Sequence, residues 1–120
     1  MILTLTLPFP PSMNRLWRVG KENTMYRSDV YERWKKEATW TAKIQVRNKC
    51  IKGPFKLTIT FVKPDKRHRD LDNLLKAVLD CLQSVGAIEN DKNCIWIDAR
   101  WLSEGEPCSV VIEEMKDGRD

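Results

Sequence analysis

The sequence predicts an α/β (α+β) fold, a mixed β-sheet built in the order β-α-β-α-β-β with helices packed against the sheet. Three observations predict it. Apolar residues alternate at period two over residues 2–7, 55–61, 95–101 and 110–113; they recur at spacings of three and four over 28–48 and 71–85; and Pro or Gly separates most of these runs. A length of 120 residues suits a single domain, 1–120, and no internal repeat, low-complexity tract or linker divides the chain.

The first run places Leu3, Leu5 and Leu7 on one face and stops at Pro8, as a strand does. From Pro8 to Ser28 there are three prolines, a glycine and no period, which reads as a long loop carrying Asn14, Arg15, Arg18, Lys21 and Arg27. Loops of that length inside a small domain usually serve function or move. Ser28 suits the N-cap of a helix reaching about Asn48, with Val30, Trp34, Ala38, Thr41 and Ile44 as its apolar face and an outer face rich in Lys and Arg. After Lys52-Gly53-Pro54, Phe55, Leu57, Ile59 and Phe61 alternate with Lys56, Thr58 and Thr60 in a second strand that ends by Pro64. Leu71, Leu74, Leu75, Val78, Leu79, Leu82 and Val85 form the stripe of a second helix, stopped at Gly86, a residue suited to the C′ position. Ile95, Ile97, Ala99 and Trp101 then alternate with Trp96, Asp98 and Arg100; with Val110 and Ile112 after the SEGEP turn, they predict a closing hairpin.

No run approaches the roughly 20 apolar residues of a membrane span. MILTLTLPFP lacks the basic n-region and small-residue cleavage site of a secretory signal, so a cytoplasmic protein with no membrane partner is expected. Cys50, Cys81, Cys94 and Cys108 have no CxxC spacing and His68 is the sole histidine, which argues against structural zinc and leaves the thiols as small buried hydrophobes. Residues 1–69 hold 16 Lys/Arg against 5 Asp/Glu, a balance of +11, whereas residues 70–120 hold 5 against 12, a balance of −7. Such segregation suits a basic surface for a phosphate backbone beside a local acidic site, the ordinary alternative being two solvated faces.

The acidic site has a candidate in RHRDLDNLLKAVLDCL, residues 67–82, where Asp70 and Asp72 stand at i, i+2 beside Arg67, His68 and Arg69. On a helical wheel Asp72, Asn73, Lys76, Asp80 and Gln83 lie opposite the apolar stripe, so Asp72 meets Lys76 at i, i+4. One explanation is local: one aspartate caps the helix and the other pairs with Lys76. The other is chemical. Two carboxylates this close can converge on a hard cation such as Mg²⁺, which takes one or two carboxylates with water and phosphate oxygens, while Arg67, His68 and Arg69 hold phosphates. An EF-hand is excluded, because Leu74 falls at its third ligand position and its sixth position lacks glycine. Glu89 and Asp91, just past the helix, are candidates for a third carboxylate if the chain folds back. Trp34 and Trp101 read as core, and Trp17 in the basic loop as a platform for an opened base.

LPFPPSMNR near the N-terminus, RDLDNLLKAVLDCL in the middle and ENDKN after it resemble the RusA family of Holliday junction resolvases, in order over nearly the whole chain. The D-L-D-N-L-x-K core is the most specific part. The resemblance implies that Asp70, Asp72 and Asp91 are metal-binding catalytic acids and Lys76 an essential lysine. It also implies a homodimer that uses Mg²⁺, with Mn²⁺ as a substitute, and no small-molecule cofactor. Asn14 and Arg15 resemble the family's N-terminal loop and, with Arg18, Arg67, His68, Arg69 and Asn73, are the DNA-binding candidates. Two positions depart from the family pattern: Asn90 stands where a second acid often accompanies the catalytic one, and His68 interrupts what is often an all-arginine run. The expected function is a structure-selective endonuclease that resolves four-way DNA junctions in recombination and repair by paired symmetric cuts, the two sites supplied by a C2 dimer. The alternatives are a non-catalytic nucleic-acid-binding module and a nuclease acting on flaps or single strands.

Overall fold

The computed structural model describes residues 1–11 and 29–116, and the backbone alone of 17–19 and 25–27. In chain order the elements are β1 (Ile2–Leu7), β2 (Trp17–Val19), β3 (Met25–Arg27), α1 (Asp29–Val46), β4 (Phe55–Phe61), α2 (Asp72–Ser84), a 3₁₀ turn (Asp91–Asn93), β5 (Cys94–Trp101) and β6 (Cys108–Glu114). Four strands form a mixed sheet in the order β1-β6-β4-β5, in which β4 and β5 run parallel and the other neighbours antiparallel. The α+β class and the order of the main elements agree with the sequence.

Period-two alternation sends one side of every strand into the same core. Leu3, Leu5 and Leu7 of β1, Phe55, Leu57, Ile59 and Phe61 of β4, and Cys108, Val110 and Ile112 of β6 are all buried, in one cluster with Ala38, Ala42 and Val46 of α1 and Leu74, Val78 and Leu82 of α2. Full burial of each Leu, Ile or Phe is worth roughly 1.5–3 kcal/mol, so this cluster supplies much of the folding drive. α2 ends as its sequence predicts: Gly86 takes φ +81°, a left-handed conformation that glycine adopts without Cβ strain.

Four expectations need correction. The segment read as a loop without structure contains β2 and β3, which pair antiparallel, Trp17 opposite Arg27. Strands of three residues are too short to display a period. The buried face of α1 is Tyr31, Trp34, Ala38, Ala42 and Val46, while Val30 and Ile44 are more than half exposed. Apolar residues lie on both sides of this helix, and a wheel cannot choose between them. The hairpin between β5 and β6 does not form, because each pairs with β4, one on either side. The SEGEP segment instead crosses the end of β4, where Leu102 N–H donates to Phe61 O at 2.8 Å and Val62 N–H to Pro107 O at 3.1 Å. Alternation marks a strand without naming its partner, and β4, buried on every inward position, takes the centre. Of the four thiols, only Cys81 and Cys108 are buried; Cys50 and Cys94 are half-buried.

The two edges of the sheet differ. Beside β1, the Gln45 side chain of α1 accepts from Thr6 N–H at 2.8 Å and donates to Thr6 O at 2.7 Å, occupying backbone groups that a further strand would use. Along β5, Ile95, Trp96 and Ile97 are exposed and no described strand pairs with the outer edge.

Candidate active site

Between β4 and α2 the chain makes a basic arm, and Asp65 organises it. Asp65 Oδ1 accepts from the Arg67 backbone N–H at 3.0 Å and from Arg69 Nη1 at 2.8 Å; Oδ2 accepts from Arg67 Nε at 3.2 Å, Arg67 Nη2 at 3.0 Å and Arg69 Nη2 at 3.1 Å. The guanidinium of Arg69, followed by that of Arg67, holds the Asp65 carboxyl well below the usual carboxylate range. Arg69 is turned inward, its side chain only 16% exposed and its guanidinium 5.3 Å from the Phe9 ring, whereas Arg67 is 67% exposed and His68 89% exposed.

The arm leads into the two aspartates. Asp70 Oδ1 lies 3.4 Å from His68 Nε2, and Asp70 Oδ2 accepts from Asn73 Nδ2 at 3.3 Å. Asp72 opens α2, where the positive end of the helix dipole favours an anion. Both local explanations of these residues fail. The N-cap of α2 is Leu71, with no side-chain cap, and among the described residues Asp72 makes no ion pair. Lys76 pairs instead with Asp80 at 3.4 Å and with Asp91 at 3.6 Å. The charge of Asp80, seconded by that of Asp91, pushes the Lys76 ammonium above the ordinary lysine range.

Asp91 arrives because the chain past α2 folds back. Ile51 bridges Ile88 in parallel, Ile51 N–H donates to Ala87 O at 2.8 Å, and Glu89 N–H donates to Ile51 O at 3.2 Å. Asn90 then caps the 3₁₀ turn, its side chain accepting from Lys92 N–H at 2.9 Å. Gln83 Oε1 accepts from Asp91 N–H at 2.9 Å and ties the turn to the outer face of α2. Of the two candidate third acids, Asp91 is the one brought to Lys76. Asn90, where the family pattern often has an acid, is here a turn cap.

Among the described residues no three His, Cys, Asp or Glu side chains form a metal-binding group. Asp70 stands just before α2 with His68 and Asn73, Asp72 opens the helix, and Asp91 meets Lys76 on its outer face. Asn14 and Arg15 lie outside the described residues, as do Ser28 and the side chains of Trp17 and Arg18. Burial pushes the Cys81 thiol up to about 11 and that of Cys108 up to about 12, so neither supplies a thiolate at neutral pH. Two residues with work at this site were not singled out for it from sequence. Asp65 stands two and four residues before Arg67 and Arg69, a spacing legible in the sequence; Gln83 stood on the polar side of the wheel without a partner to suggest its use.

Comparison with known proteins identifies a family over most of the chain. The family model described as "Endodeoxyribonuclease RusA" matches residues 8–113. The crossover junction endodeoxyribonuclease rusA of Enterobacteria phage HK97 is 34% identical over 86 residues, covering 72% of this chain and 71% of its own. The protein of that name from Escherichia coli (strain K12) is 37% identical over 90 residues, 69% of this chain and 68% of its own, and that from Aquifex aeolicus (strain VF5) is 33% identical over 85 residues, 71% and 66%. A match over that span makes this chain a member of the RusA family of endodeoxyribonucleases, hydrolases that cut phosphodiester bonds in DNA.

Proposed function

We propose that this protein is a Mg²⁺-dependent endonuclease that resolves four-way DNA junctions by paired symmetric cuts. The relatives' names point to crossover junctions, and the carrying observation here is the exposed outer face of α2. There a lysine held between two carboxylates adjoins a helix start with two more aspartates and a basic arm. Among the described residues Asp72 makes no ion pair, and only the helix dipole favours its charge.

The donor set fits a hard cation: all the acids concerned offer carboxylate oxygens, and Mg²⁺ commonly takes only one or two from protein and fills the rest with water and phosphate. A three-carboxylate cage within the described chain is therefore not required. The proposed ligands are drawn from Asp70, Asp72 and Asp91, which form no single group among the described residues, with Mn²⁺ as a substitute for Mg²⁺. When bound, such an ion polarises a phosphoryl oxygen and makes water a better nucleophile. The chain's own groups do the rest. Arg67, His68 and Asn73, with Asn14, Arg15 and Arg18, bind and orient the DNA, and Lys76 places positive charge where the scissile phosphate gains negative charge.

A homodimer belongs to the same proposal, since a junction needs two symmetric cuts. The outer edge of β5 supports it: among the described residues no strand covers it, it is eight residues long, and Ile95 and Ile97 are exposed on it. The proposal includes a cytoplasmic location; no described helix is long and apolar enough to cross a membrane.

The test is incubation of the purified protein with a mobile four-way junction and a matched linear duplex, each with Mg²⁺ and with EDTA. Junction cutting that needs Mg²⁺ is the expected result. Equal junction binding in both buffers with no cutting would identify a non-catalytic binding module, and cutting confined to flaps or single strands a different nuclease.

A further inference from the structure

We infer that Asp65 is a positioning residue for this site: by clamping Arg69 against Phe9 it fixes the arm that presents Arg67 and His68 outward and leads into Asp70. The inference rests on the nuclease reading above for its consequence, and on geometry alone for the clamp.

Arg69 sits among fixed neighbours. Its two terminal nitrogens reach both oxygens of Asp65, Nη1 also donates to Arg67 O at 3.3 Å, and its guanidinium lies over Phe9. Phe9 in turn packs on Phe61 and Trp101, with ring centroids 6.0 and 6.2 Å away, so the clamp is anchored at the ends of β4 and β5. A two-point guanidinium–carboxylate contact sets direction as well as distance. Arg67 contributes its backbone N–H and one side of its guanidinium to the same carboxylate, and stays largely exposed on the other. Asp65 thus takes one inward arginine out of solvent and aims one outward.

Charge alone predicts the opposite role. Asp65 is an acid within a basic arm of Lys66, Arg67, His68 and Arg69, so as a mere charge it repels DNA and its removal should tighten binding and leave cutting intact or faster. As a positioning residue, its removal should slow cutting in spite of the added positive charge. The two roles differ in sign.

The experiment compares wild type, Asp65→Asn and Asp65→Glu. Asparagine keeps the shape but turns one acceptor into a donor facing guanidinium N–H groups, whereas glutamate keeps the fork on a longer stem. Trypsin cleavage after Lys66, Arg67 and Arg69, followed by mass spectrometry, reads the order of the arm without any reference to activity. Asp65→Asn should be nicked there about fivefold faster with Tm lowered by no more than about 3 °C, since the Arg67 side of the clamp is exposed and the asparagine oxygen still accepts from the inward Arg69. Its single-turnover cutting of a saturating four-way junction should fall about tenfold with junction affinity within about twofold, and Asp65→Glu should recover most of both losses. Wild-type nicking in Asp65→Asn overturns the clamp. Faster nicking with cutting at the wild-type rate or above overturns the positioning role. If the wild type cuts no junction at all, the nuclease reading fails and the positioning role with it, while the protease result still decides whether Asp65 orders the arm.

Discussion

The two faces of α2 share thirteen residues and divide their work completely. Inward, Leu74, Ala77, Val78, Cys81 and Leu82 are buried against the sheet and α1. Outward, Asp72 stands free of ion pairs among the described residues, and Lys76 leans between Asp80 of its own helix and Asp91 of the returning turn. Stability comes from the first face by non-directional burial, which tolerates some variation in shape. The outer face holds charges at 3.4–3.6 Å, in a geometry that only the folded chain assembles. A helix can therefore lose its chemistry without losing its fold, and the reverse, and each substitution below should strike one face only.

The largest effects belong to the outer face. If the acids bind the ion as proposed, Asp70→Asn, Asp72→Asn and Asp91→Asn should each reduce junction cutting by roughly 10³-fold or more while junction binding holds or tightens, because each then removes a charge that holds the ion and a repulsion of phosphate together. Circular dichroism melts should overlay wild type for Asp70→Asn and Asp72→Asn. Cutting by Asp91→Asn at the wild-type rate would remove that residue from the ligand set and return attention to Glu89. Next comes the inner face. Leu82→Ala leaves a cavity in a fully buried position and should cost about 2–5 kcal/mol of stability, read by urea unfolding, with the rate per folded molecule unchanged. A drop in that rate at constant folded fraction would mean the two faces are coupled.

How far the sequence anticipates all this depends on the distance over which each feature is decided. β1, β4 and α2 were legible because their patterns are local and clean: Leu3-Leu5-Leu7, Phe55-Leu57-Ile59-Phe61, and a leucine stripe with Gly86 at its end. The face of α1 was not, since Val30, Trp40 and Ile44 remain exposed opposite the buried side. Strand partners were not, because β5 pairs parallel with β4 across an intervening helix. In the site, Asp70, Asp72 and Lys76 stood out by motif. The partner of Lys76 did not, as Asp72 and Asp80 are equally four residues away and Asp91, brought back through Ile51, Gln83 and the 3₁₀ turn, completes the choice.

That choice sets the third prediction. If Lys76 were only an ion-pair partner, Lys76→Ala would cut almost normally, an exposed pair being worth at most about 1 kcal/mol. As a group that stabilises charge on the scissile phosphate, its loss should cost roughly 10²-fold in single-turnover rate, close to 2.7 kcal/mol of barrier, with Tm and Mg²⁺ requirement little changed. Lys76→Arg should be impaired too, since a planar fork does not reproduce a compact ammonium.

Asp80→Asn sharpens the same point with the smallest effect. Asp80 is the main cause of the upward shift at Lys76, and Asp91 the lesser one. Removing the Asp80 charge lowers the lysine's pKa toward its ordinary value, still far above neutrality, and leaves Asp91 to hold it. At neutral pH the ammonium therefore persists, and cutting should stay within about threefold of wild type. The alkaline side separates the readings. A step that needs Lys76 protonated loses rate as pH rises through that pKa, and the loss should begin at lower pH in Asp80→Asn than in wild type. The check is a single-turnover pH–rate profile at saturating DNA, carried as far as the wild-type protein remains folded. Superimposable alkaline limbs would mean that the charge on Lys76 does not enter the cutting step, leaving the outer face of α2 to act through its aspartates alone.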